Sequence, residues 1–267
     1  MRVASFNLNN KLAQPRQKHK IVDLLLFANA DILCLQEIMK HRHVVWLAKQ
    51  LNMFAGKWHR GGMVVLSRFP ISQSRRWEWK SAYCNGLVGV KIYNIWVFSI
   101  HLDSRYYKKC EDLRVHEMKL LSKLLVSKRV CIVAGDWNSP SHLDASSRRA
   151  SPVKTPRSCI PCRFATTKTR SLPSSVMQTC KFIDLHNNSN KCSTWIPALL
   201  QRKKPIERID RMYLRGKMEC HSKKARILTP AYYFRKTGSR WPTGKDHCLI
   251  WCDFKCQKWP HAHPSGE

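Results

Sequence analysis

Short apolar runs of strand composition alternate with segments of helical spacing through the first half of the chain, and this alternation restricts the fold more than any other feature. The runs RVASFNL and DILCLQE, at residues 2–8 and 31–37, have strand composition. Between them, KIVDLLLFANA carries apolar residues at a helical spacing, at Ile21, Leu24, Leu25 and Ala28. Strands that alternate with helices predict an α/β domain with mixed or antiparallel sheets.

The rest of the chain is assigned from the same two patterns. Helices are predicted in RHVVWLAKQL and from Tyr106 to Ser127, where apolar residues step by three or four positions. Strands are predicted around GMVVLSRFPI and in GLVGVKIY, IWVFSIHL and RVCIVAGD. Four further strands are expected nearer the C-terminus, in STWI, ERIDRMYL, KARILTPAYYF and HCLIWCDF.

One long segment lacks both patterns. Residues 140–178 are rich in Ser, Arg, Pro, Thr and Lys and poor in large apolar side chains, a composition typical of mobile loops. We therefore predict a single domain over residues 1–256 that contains a basic mobile insertion at about 140–178. Residues 257–267 are expected to form a loose C-terminal tail.

The charge balance of the chain is strongly positive. The 48 Lys and Arg residues against 17 Asp and Glu give a formal net charge of +31. A surface of this charge favours a polyanionic partner, and nucleic acid is the commonest one. An anionic membrane surface is the second candidate partner, and a composition bias without functional meaning is a third explanation. The chain is expected to be a monomer.

Cysteine usage and hydropathy together predict a compartment. The 12 cysteines are scattered, no secretory signal is evident, and Cys34 and Cys131 lie in apolar runs where reduced thiols act as small hydrophobic side chains. The sequence contains no run of 18 or more apolar residues, so no transmembrane segment is predicted. We expect an intracellular protein of the cytoplasm or nucleus. Cys159 and Cys162 form one CxxC pair, which leaves a structural zinc site open.

Polar side chains stand at the ends of six apolar runs. They are Asn7, Glu37, His101 with Asp103, Asp136 with Asn138, Asp210, and Asp246 with His247. In an extended strand alternate side chains point the same way, so Asp136 and Asn138 are expected side by side. Because sites in α/β sheets are built at strand ends, the set as a whole predicts one shared site.

The residue types of this set suit the metal-assisted hydrolysis of a phosphodiester. The charged oxygens of a phosphodiester repel a nucleophile, and Mg²⁺ held by Glu37 would neutralise that charge, with Mn²⁺ as a substitute. One group must accept a proton from the attacking water, and we predict His247 oriented by Asp210. Asp136 and His101 remain to orient the nucleophile, protonate the leaving oxygen or hold the phosphate.

The ordered motifs SFNLN, LQE, HLD, GDWNSP, RID and KDH resemble those of the endonuclease/exonuclease/phosphatase superfamily. Its members include DNase I-type nucleases, repair endonucleases, tyrosyl-DNA phosphodiesterases, sphingomyelinases and inositol polyphosphate phosphatases. The resemblance extends from residue 3 to about residue 254. It implies a DNase I-like four-layer α/β/β/α sandwich, in which helices flank two packed mixed sheets, and a Mg²⁺ or Mn²⁺ site at one rim.

The resemblance also implies catalytic and metal-binding roles. Glu37 corresponds to the principal metal ligand and Asp246 to a second acid near the metal. Asp136 corresponds to the acid that positions or activates water. His247 corresponds to the last histidine of the site and Asp210 to the carboxylate that orients it.

Three further residues are implied as contacts to metal or phosphate. Asn7 corresponds to a polar contact to the metal, its water or the phosphate. His101 corresponds to a site histidine of the nuclease-like members, and Asn138 to a phosphate-binding amide.

Two positions depart from the family pattern. Lys245 stands where Ser is common, and a cation there would grip phosphate or lower the pKa of Asp246. Asn9 stands where some members carry an aspartate metal ligand, which weakens a second metal position.

The predicted function is that of a Mg²⁺-dependent phosphodiesterase or nuclease acting on nucleic acid. The first alternative is a phosphoesterase of the same fold that acts on phospholipid or phosphoinositide headgroups. The second is a non-catalytic nucleic-acid-binding protein on the same scaffold.

Overall fold

Twelve strands and five α-helices are formed by the residues that the structure describes. The computed structural model describes residues 1–79, 86–103, 108–138, 172–185, 210–216, 226–242 and 247–255. The strands are β1 (Arg2–Asn7), β2 (Ile32–Gln36), β3 (Phe54–Ala55), β4 (Val64–Ser67), β5 (Gln73–Glu78), β6 (Gly86–Ile92), β7 (Ile95–His101), β8 (Cys131–Asp136), β9 (Ile183–Asp184), β10 (Asp210–Arg215), β11 (Arg226–Leu228) and β12 (Leu249–Asp253). The helices are α1 (Pro15–Ala28), α2 (His41–Leu51), α3 (Lys108–Val126), α4 (Leu172–Thr179) and α5 (Pro230–Thr237).

The strands form two six-stranded mixed sheets. The first sheet has the order β11-β12-β1-β2-β4-β3 and the second has the order β5-β6-β7-β8-β10-β9. Apolar side chains of the two sheets meet face to face, for example Val3 and Ile250 of the first sheet with Val90 and Ile132 of the second. Burial of these alternate strand residues gives the central core of the protein.

Helices cover the outer face of each sheet. Ile21 of α1, Leu47 of α2 and Tyr233 of α5 join a buried cluster with Phe6 and Leu33 of the first sheet. On the second sheet, Met118 and Leu121 of α3 and Met177 of α4 pack with Phe98 and Val133. The predicted four-layer α/β/β/α sandwich is therefore confirmed.

A polar link between Gln36 and Ser99 crosses the largely apolar interior between the sheets. The side-chain amide of Gln36 donates to Ser99 Oγ at 2.9 Å, and Ser99 Oγ donates to the carbonyl of Leu35 at 3.2 Å. These bonds join the carboxyl end of β2 to β7. A directional link of this kind fixes how the strand ends of one sheet sit against those of the other.

Two parallel strand pairs set the position of the site. β1 runs parallel to β2, with Asn7 opposite Gln36, and β7 runs parallel to β8, with His101 opposite Asp136. Parallel neighbours end at the same edge of a sheet, so the polar residues that follow each apolar run are brought together.

Two antiparallel strands bring their amino ends to the same edge. Asp210, the first residue of β10, lies opposite Asp136 at the last position of β8. β12 is antiparallel to β1, so His247, just before β12, reaches the end of β1 that carries Asn7. Residues from six distant parts of the sequence thus lie at one rim.

The segment KARILTPAYYF differs from the prediction of a strand. Of its described residues, only Arg226–Leu228 form a strand, and Pro230–Thr237 is helix α5. Thr229 caps this helix by accepting the backbone N–H of Tyr232 on its Oγ at 3.2 Å, and Pro230 occupies the first turn. The capping and proline signals outweigh the β propensity of the aromatic residues.

The segment predicted as a mobile insertion contains helix α4 in its last residues, and Met177 of this helix is buried against the second sheet. Residues 139–171 lie outside the described residues, as do the CxxC pair Cys159 and Cys162, the run STWI and the tail after residue 255. None of the described helices is both long and apolar enough to span a bilayer.

Candidate active site

Asn7 links the carboxylate of Glu37, which follows strand β2 of the first sheet, to the carboxylate of Asp136 at the end of β8 in the second sheet. Its side-chain Nδ2 donates to Glu37 Oε1 at 3.0 Å and to Asp136 Oδ2 at 2.9 Å. Its Oδ1 accepts the backbone N–H of Asn9 at 2.8 Å. Because a backbone N–H only donates, this last bond fixes the amide with its nitrogen toward the acids. Asn7 therefore holds the two carboxylates close together.

His101 faces the same two carboxylates. Its Nε2 lies 3.8 Å from Glu37 Oε1 and 3.7 Å from Asp136 Oδ2, beyond hydrogen-bond distance. This nitrogen is buried and has no hydrogen-bond partner among the described residues. A buried nitrogen between two acids is well placed to contact an oxygen that enters the site.

His247 forms a buried pair with Asp210. Its Nδ1 lies 3.2 Å from Asp210 Oδ1 and 3.1 Å from Oδ2, and its Nε2 lies 3.8 Å from Asp136 Oδ2. Burial alone would lower the pKa of His247, but the charge and hydrogen bond of Asp210, with Asp136 and Glu37 behind it, raise that pKa to about 10. Asp210 thus fixes the ring and keeps a proton on Nδ1.

Asn138 stabilises the turn that presents Asp136. Its backbone N–H donates to Asp136 Oδ1 at 2.9 Å, in a left-handed conformation with φ of 45°. Its Nδ2 donates to the carbonyl of Leu102 at 2.8 Å. Asn138 therefore ties the end of β8 to the residue that follows β7, and Trp137 between them turns into the core under helix α3.

Gly135 permits the close approach of β7 and β8 at the site. A Cβ built at this position would overlap the backbone carbonyl of Ile100. Only glycine leaves this contact open, so the residues that follow, His101 and Asp136, remain opposite each other.

Glu37 has an uncommon backbone conformation that the sequence did not reveal. Its φ is +58°, in the left-handed region. Gly62 lies directly against it, since a Cβ at Gly62 would be 2.9 Å from the Cα of Glu37. The Gly61-Gly62 pair before an apolar run is the one signal in the sequence, since paired glycines mark tight turns.

The oxygen donors of the site fit a hard divalent cation. The Glu37 side chain is 30% exposed, and the amide of Asn7 holds it next to the buried carboxylate of Asp136. Asp136, Asp210 and His247 also offer ligand atoms within 4.8 Å of one another. Asp210, however, is already paired with His247 Nδ1, so the Glu37 and Asp136 side of the rim suits a cation better.

Seven predicted site residues are described and six of them meet at this rim, namely Asn7, Glu37, His101, Asp136, Asp210 and His247. The seventh, Asn138, lies beside Asp136 with its amide bound to Leu102. Asp103, singled out with His101, is buried, and its backbone carbonyl accepts a hydrogen bond from Arg114 Nη1. Lys245 and Asp246 lie outside the described residues.

Solved structures of similar fold cover nearly the whole chain. A Neisseria 3' phosphatase named NExo, bound to a product DNA hairpin, superposes with a TM-score of 0.71 at 14% identity, covering 96% of this chain and 100% of that chain. An AP endonuclease from Archaeoglobus fulgidus gives 0.70 at 13% identity, covering 96% and 100%. A humanized TDP2 from D. rerio gives 0.64 at 15% identity, covering 96% and 99%. At these identities the similarity establishes the fold alone.

The family assignment comes from the sequence. No curated protein sequence matches the chain significantly. Residues 4–243, however, match the Endonuclease/Exonuclease/phosphatase family, and this range includes the whole second sheet and every described site residue except His247. The chain therefore belongs to the Endonuclease/Exonuclease/phosphatase family.

Proposed function

We propose that the protein is a Mg²⁺-dependent phosphodiesterase that cleaves nucleic acid. The observation that carries this proposal is the pair of carboxylates, Glu37 and Asp136, held by one amide nitrogen of Asn7 and faced by two histidines. Acids and imidazoles so close together suit the transfer of a phosphoryl group, which requires both charge neutralisation and proton transfer.

Glu37 is proposed to hold the cation, together with Asp246. Mg²⁺ takes one or two protein carboxylates and keeps several waters, and Mn²⁺ accepts the same ligands. When bound, the cation would neutralise the phosphate oxygens and polarise phosphorus. Asn7 contributes by restraining Glu37, because its Nδ2 donates to the carboxylate while its own oxygen is bound to Asn9.

Asp136 and His247 are proposed to handle the protons. Asp136 Oδ2 and His247 Nε2 are 3.8 Å apart, so one attacking water placed beside the pair can lie within hydrogen-bond distance of both groups. Asp210 holds the other nitrogen of the ring. His101 Nε2, which lies 3.7 Å from Asp136 Oδ2, is placed to donate to a phosphate oxygen or to the leaving oxygen.

Nucleic acid is the proposed substrate because of charge. The net charge is +31, and exposed cations lie on the segments next to Glu37, including Lys40, Arg42 and Arg60. Such cations bind a phosphate backbone without regard to sequence. The Neisseria relative binds a product DNA hairpin, and a D. rerio TDP2 structure contains a single-strand DNA product.

A substrate panel tests this proposal. Plasmid DNA, single-stranded DNA, RNA and phosphoinositide vesicles are incubated with the full chain in Mg²⁺ or in EDTA. We expect Mg²⁺-dependent cleavage of a nucleic acid, reduced by at least about a hundredfold in Glu37→Ala and His247→Ala with the circular dichroism spectrum unchanged. Asp23→Ala, which removes an exposed acid of α1, is the matched control.

The other outcomes of the panel reject the proposal in different ways. Cleavage that is equal in the two site variants and the wild type would rule out this site. Phosphate release from vesicles alone would assign the enzyme to lipid headgroups. Mg²⁺-independent binding of nucleic acid without turnover would identify a non-catalytic binding protein.

A further inference from the structure

The backbone of Glu37 is held by a loop that is distant in sequence. A non-glycine residue at φ of +58° persists only where the surroundings over-determine it. The residue after Glu37 supplies the restraint, since Ile38 N–H donates to the carbonyl of Gly62 at 2.8 Å. The carbonyl of Ile38 accepts the indole Nε1–H of Trp58, also at 2.8 Å. Both polar backbone groups of Ile38 are therefore bound to residues 57–63, which we call the 57–63 loop.

Packing adds to these hydrogen bonds. A side chain at Gly62 would come within 2.9 Å of Glu37 Cα, so the loop lies flat against the carboxylate-bearing residue. The Trp58 ring is half-buried against the core of the first sheet and lies 5.9 Å from the ring of His41, at the start of α2. The indole is thus held by packing, and its N–H is directed at one carbonyl.

The same loop also contacts the strand beside His101. His59 is fully buried, and its Nδ1 accepts the backbone N–H of Gly61 at 2.9 Å. Its ring fills the place that a side chain at Gly86 would take, with Nε2 only 2.6 Å from that Cβ position. Gly86 lies opposite His101 in the sheet, and directly opposed residues share one face. The 57–63 loop therefore packs against both the Glu37 and the His101 sides of the site.

We propose that the 57–63 loop is a positioning device for the site, in which Trp58 sets cation affinity by fixing Glu37 through Ile38. Trp58 is a positioning residue, since its N–H reaches the backbone next to Glu37 and not the carboxylate itself. Loss of a group that orients a metal ligand lowers metal affinity or activity by about 10–100-fold. This inference rests on the proposed role of Glu37 as a metal ligand.

Two tryptophan substitutions separate this role from simple packing. Trp58→Phe keeps an aromatic ring and removes the N–H that binds Ile38. Trp251→Phe is the matched control, because Trp251 is also half-buried against the first-sheet core but its Nε1 has no hydrogen-bond partner among the described residues. Each full-length variant is titrated with Mn²⁺ by electron paramagnetic resonance, and its unfolding temperature is measured in EDTA. Nuclease activity is then followed against Mg²⁺ concentration.

We expect Trp58→Phe to bind Mn²⁺ about tenfold more weakly than the wild type, while Trp251→Phe binds as the wild type does. The Mg²⁺ concentration for half-maximal activity should rise by the same factor, with the plateau rate recovered at saturating Mg²⁺. Trp58→Phe should unfold at a slightly lower temperature in EDTA than Trp251→Phe, because it loses the hydrogen bond to Ile38 in addition to a similar amount of packing.

Three results would overturn the inference. Unchanged Mn²⁺ affinity in Trp58→Phe, with affinity lost in Glu37→Ala, would leave the proposed function standing and reject the role of Trp58. A plateau rate that saturating Mg²⁺ does not restore in Trp58→Phe, with an unfolding temperature in EDTA far below that of Trp251→Phe, would show that Trp58 only stabilises the fold. Absence of Mn²⁺ binding by the wild type would reject the metal role of Glu37 and this inference together.

Discussion

His247 and Asp210 form a buried pair in which Nδ1 of the imidazole lies 3.1 Å from a carboxylate oxygen at the first position of β10. The two residues are 37 positions apart in sequence, and Asp210 is held opposite Asp136 by the pairing of β10 with β8. Asp210 therefore orients the ring of His247, while Nε2 of the same ring faces the carboxylate of Asp136. This division lets two acids of similar intrinsic pKa perform different tasks.

Asp210→Asn is expected to reduce turnover by about 10²–10⁴-fold while the fold is retained. The amide has nearly the same shape, but it removes the charge that holds the proton on His247 Nδ1. Without that charge and hydrogen bond, burial is opposed only by the weaker effects of Asp136 and Glu37, so the pKa of His247 should fall well below about 10. The imidazole resonances of His247, followed by NMR against pH, give the pKa directly.

Asp23→Asn serves as the control for Asp210→Asn, because Asp23 is exposed on α1. A pKa of His247 that stays near 10 in Asp210→Asn would contradict the assigned role of Asp210.

Asn7→Asp is expected to destabilise the protein in EDTA and to make it more responsive to divalent cations. The change replaces the Nδ2 donor by an oxygen about 3 Å from two carboxylates, because Asn7 Nδ2 lies 3.0 Å and 2.9 Å from their oxygens. The unfolding temperature should fall by several degrees in EDTA and recover in Mg²⁺ by more than the wild type gains. Differential scanning fluorimetry measures both shifts.

Asn29→Asp provides the same chemical change away from the site. Asn29 ends α1, and its Oδ1 accepts from Arg68 Nη2 at 2.7 Å, so a carboxylate there keeps its partner. Equal Mg²⁺ responses in Asn7→Asp and the wild type would argue against a cation site beside Asn7.

The convergence of the site was predictable from the sequence because it follows from strand direction. Asn7 and Glu37 follow two apolar runs joined by a helix, and so do His101 and Asp136, and such units form parallel pairs with shared ends. The orientation of the Asn7 amide was not predictable, since it depends on the backbone of Asn9 and on an acid 129 residues away.

The left-handed backbone of Glu37 was also beyond prediction from the sequence. It depends on the hydrogen bond that Ile38 N–H donates to the carbonyl of Gly62 and on the one that the Ile38 carbonyl accepts from Trp58, and both partners lie in a loop that only the folded sheet brings near. The start of helix α5, in contrast, has a signal in the sequence, because Thr229 and Pro230 are typical of a helix N-terminus. The aromatic residues that follow them favour a strand, and the segment was predicted as a strand for that reason.

Gly135→Ala is expected to reduce turnover by about a hundredfold and to lower the free energy of unfolding. The new methyl group overlaps the carbonyl of Ile100, so β7 and β8 must separate where His101 faces Asp136. A displacement of about 1 Å at reacting groups is sufficient for a rate loss of this size. Single-turnover kinetics and urea denaturation measure the two effects.

Gly238→Ala separates the site effect from the general effect of adding a methyl group to glycine. Gly238 ends α5 at φ of +69° with no atom within 4 Å of its Cβ position, so alanine costs about 1–2 kcal/mol of conformational strain there. Its turnover should equal that of the wild type. Comparable turnover in the two alanine variants would show that the close approach at Gly135 does not matter to the site.

His59→Asn is expected to make the stability of the protein less sensitive to acid. Burial lowers the pKa of His59 in the folded state, and Arg60 and Arg76 lower it further against the opposing effect of Glu78. The unfolded chain binds this proton near the ordinary pKa of 6.5, so below that pH the unfolded state takes up more protons than the folded state. The free energy of unfolding of the wild type therefore falls as the pH drops below 6.5. Asparagine can still accept the N–H of Gly61 through its side-chain oxygen, but it has no proton to gain.

Urea denaturation between about pH 7 and about pH 5 measures the difference. The free energy of unfolding should decrease less with falling pH in His59→Asn than in the wild type, whatever the difference between the two proteins at neutral pH. Parallel curves for the two proteins would mean that His59 takes up its proton equally well in the folded state.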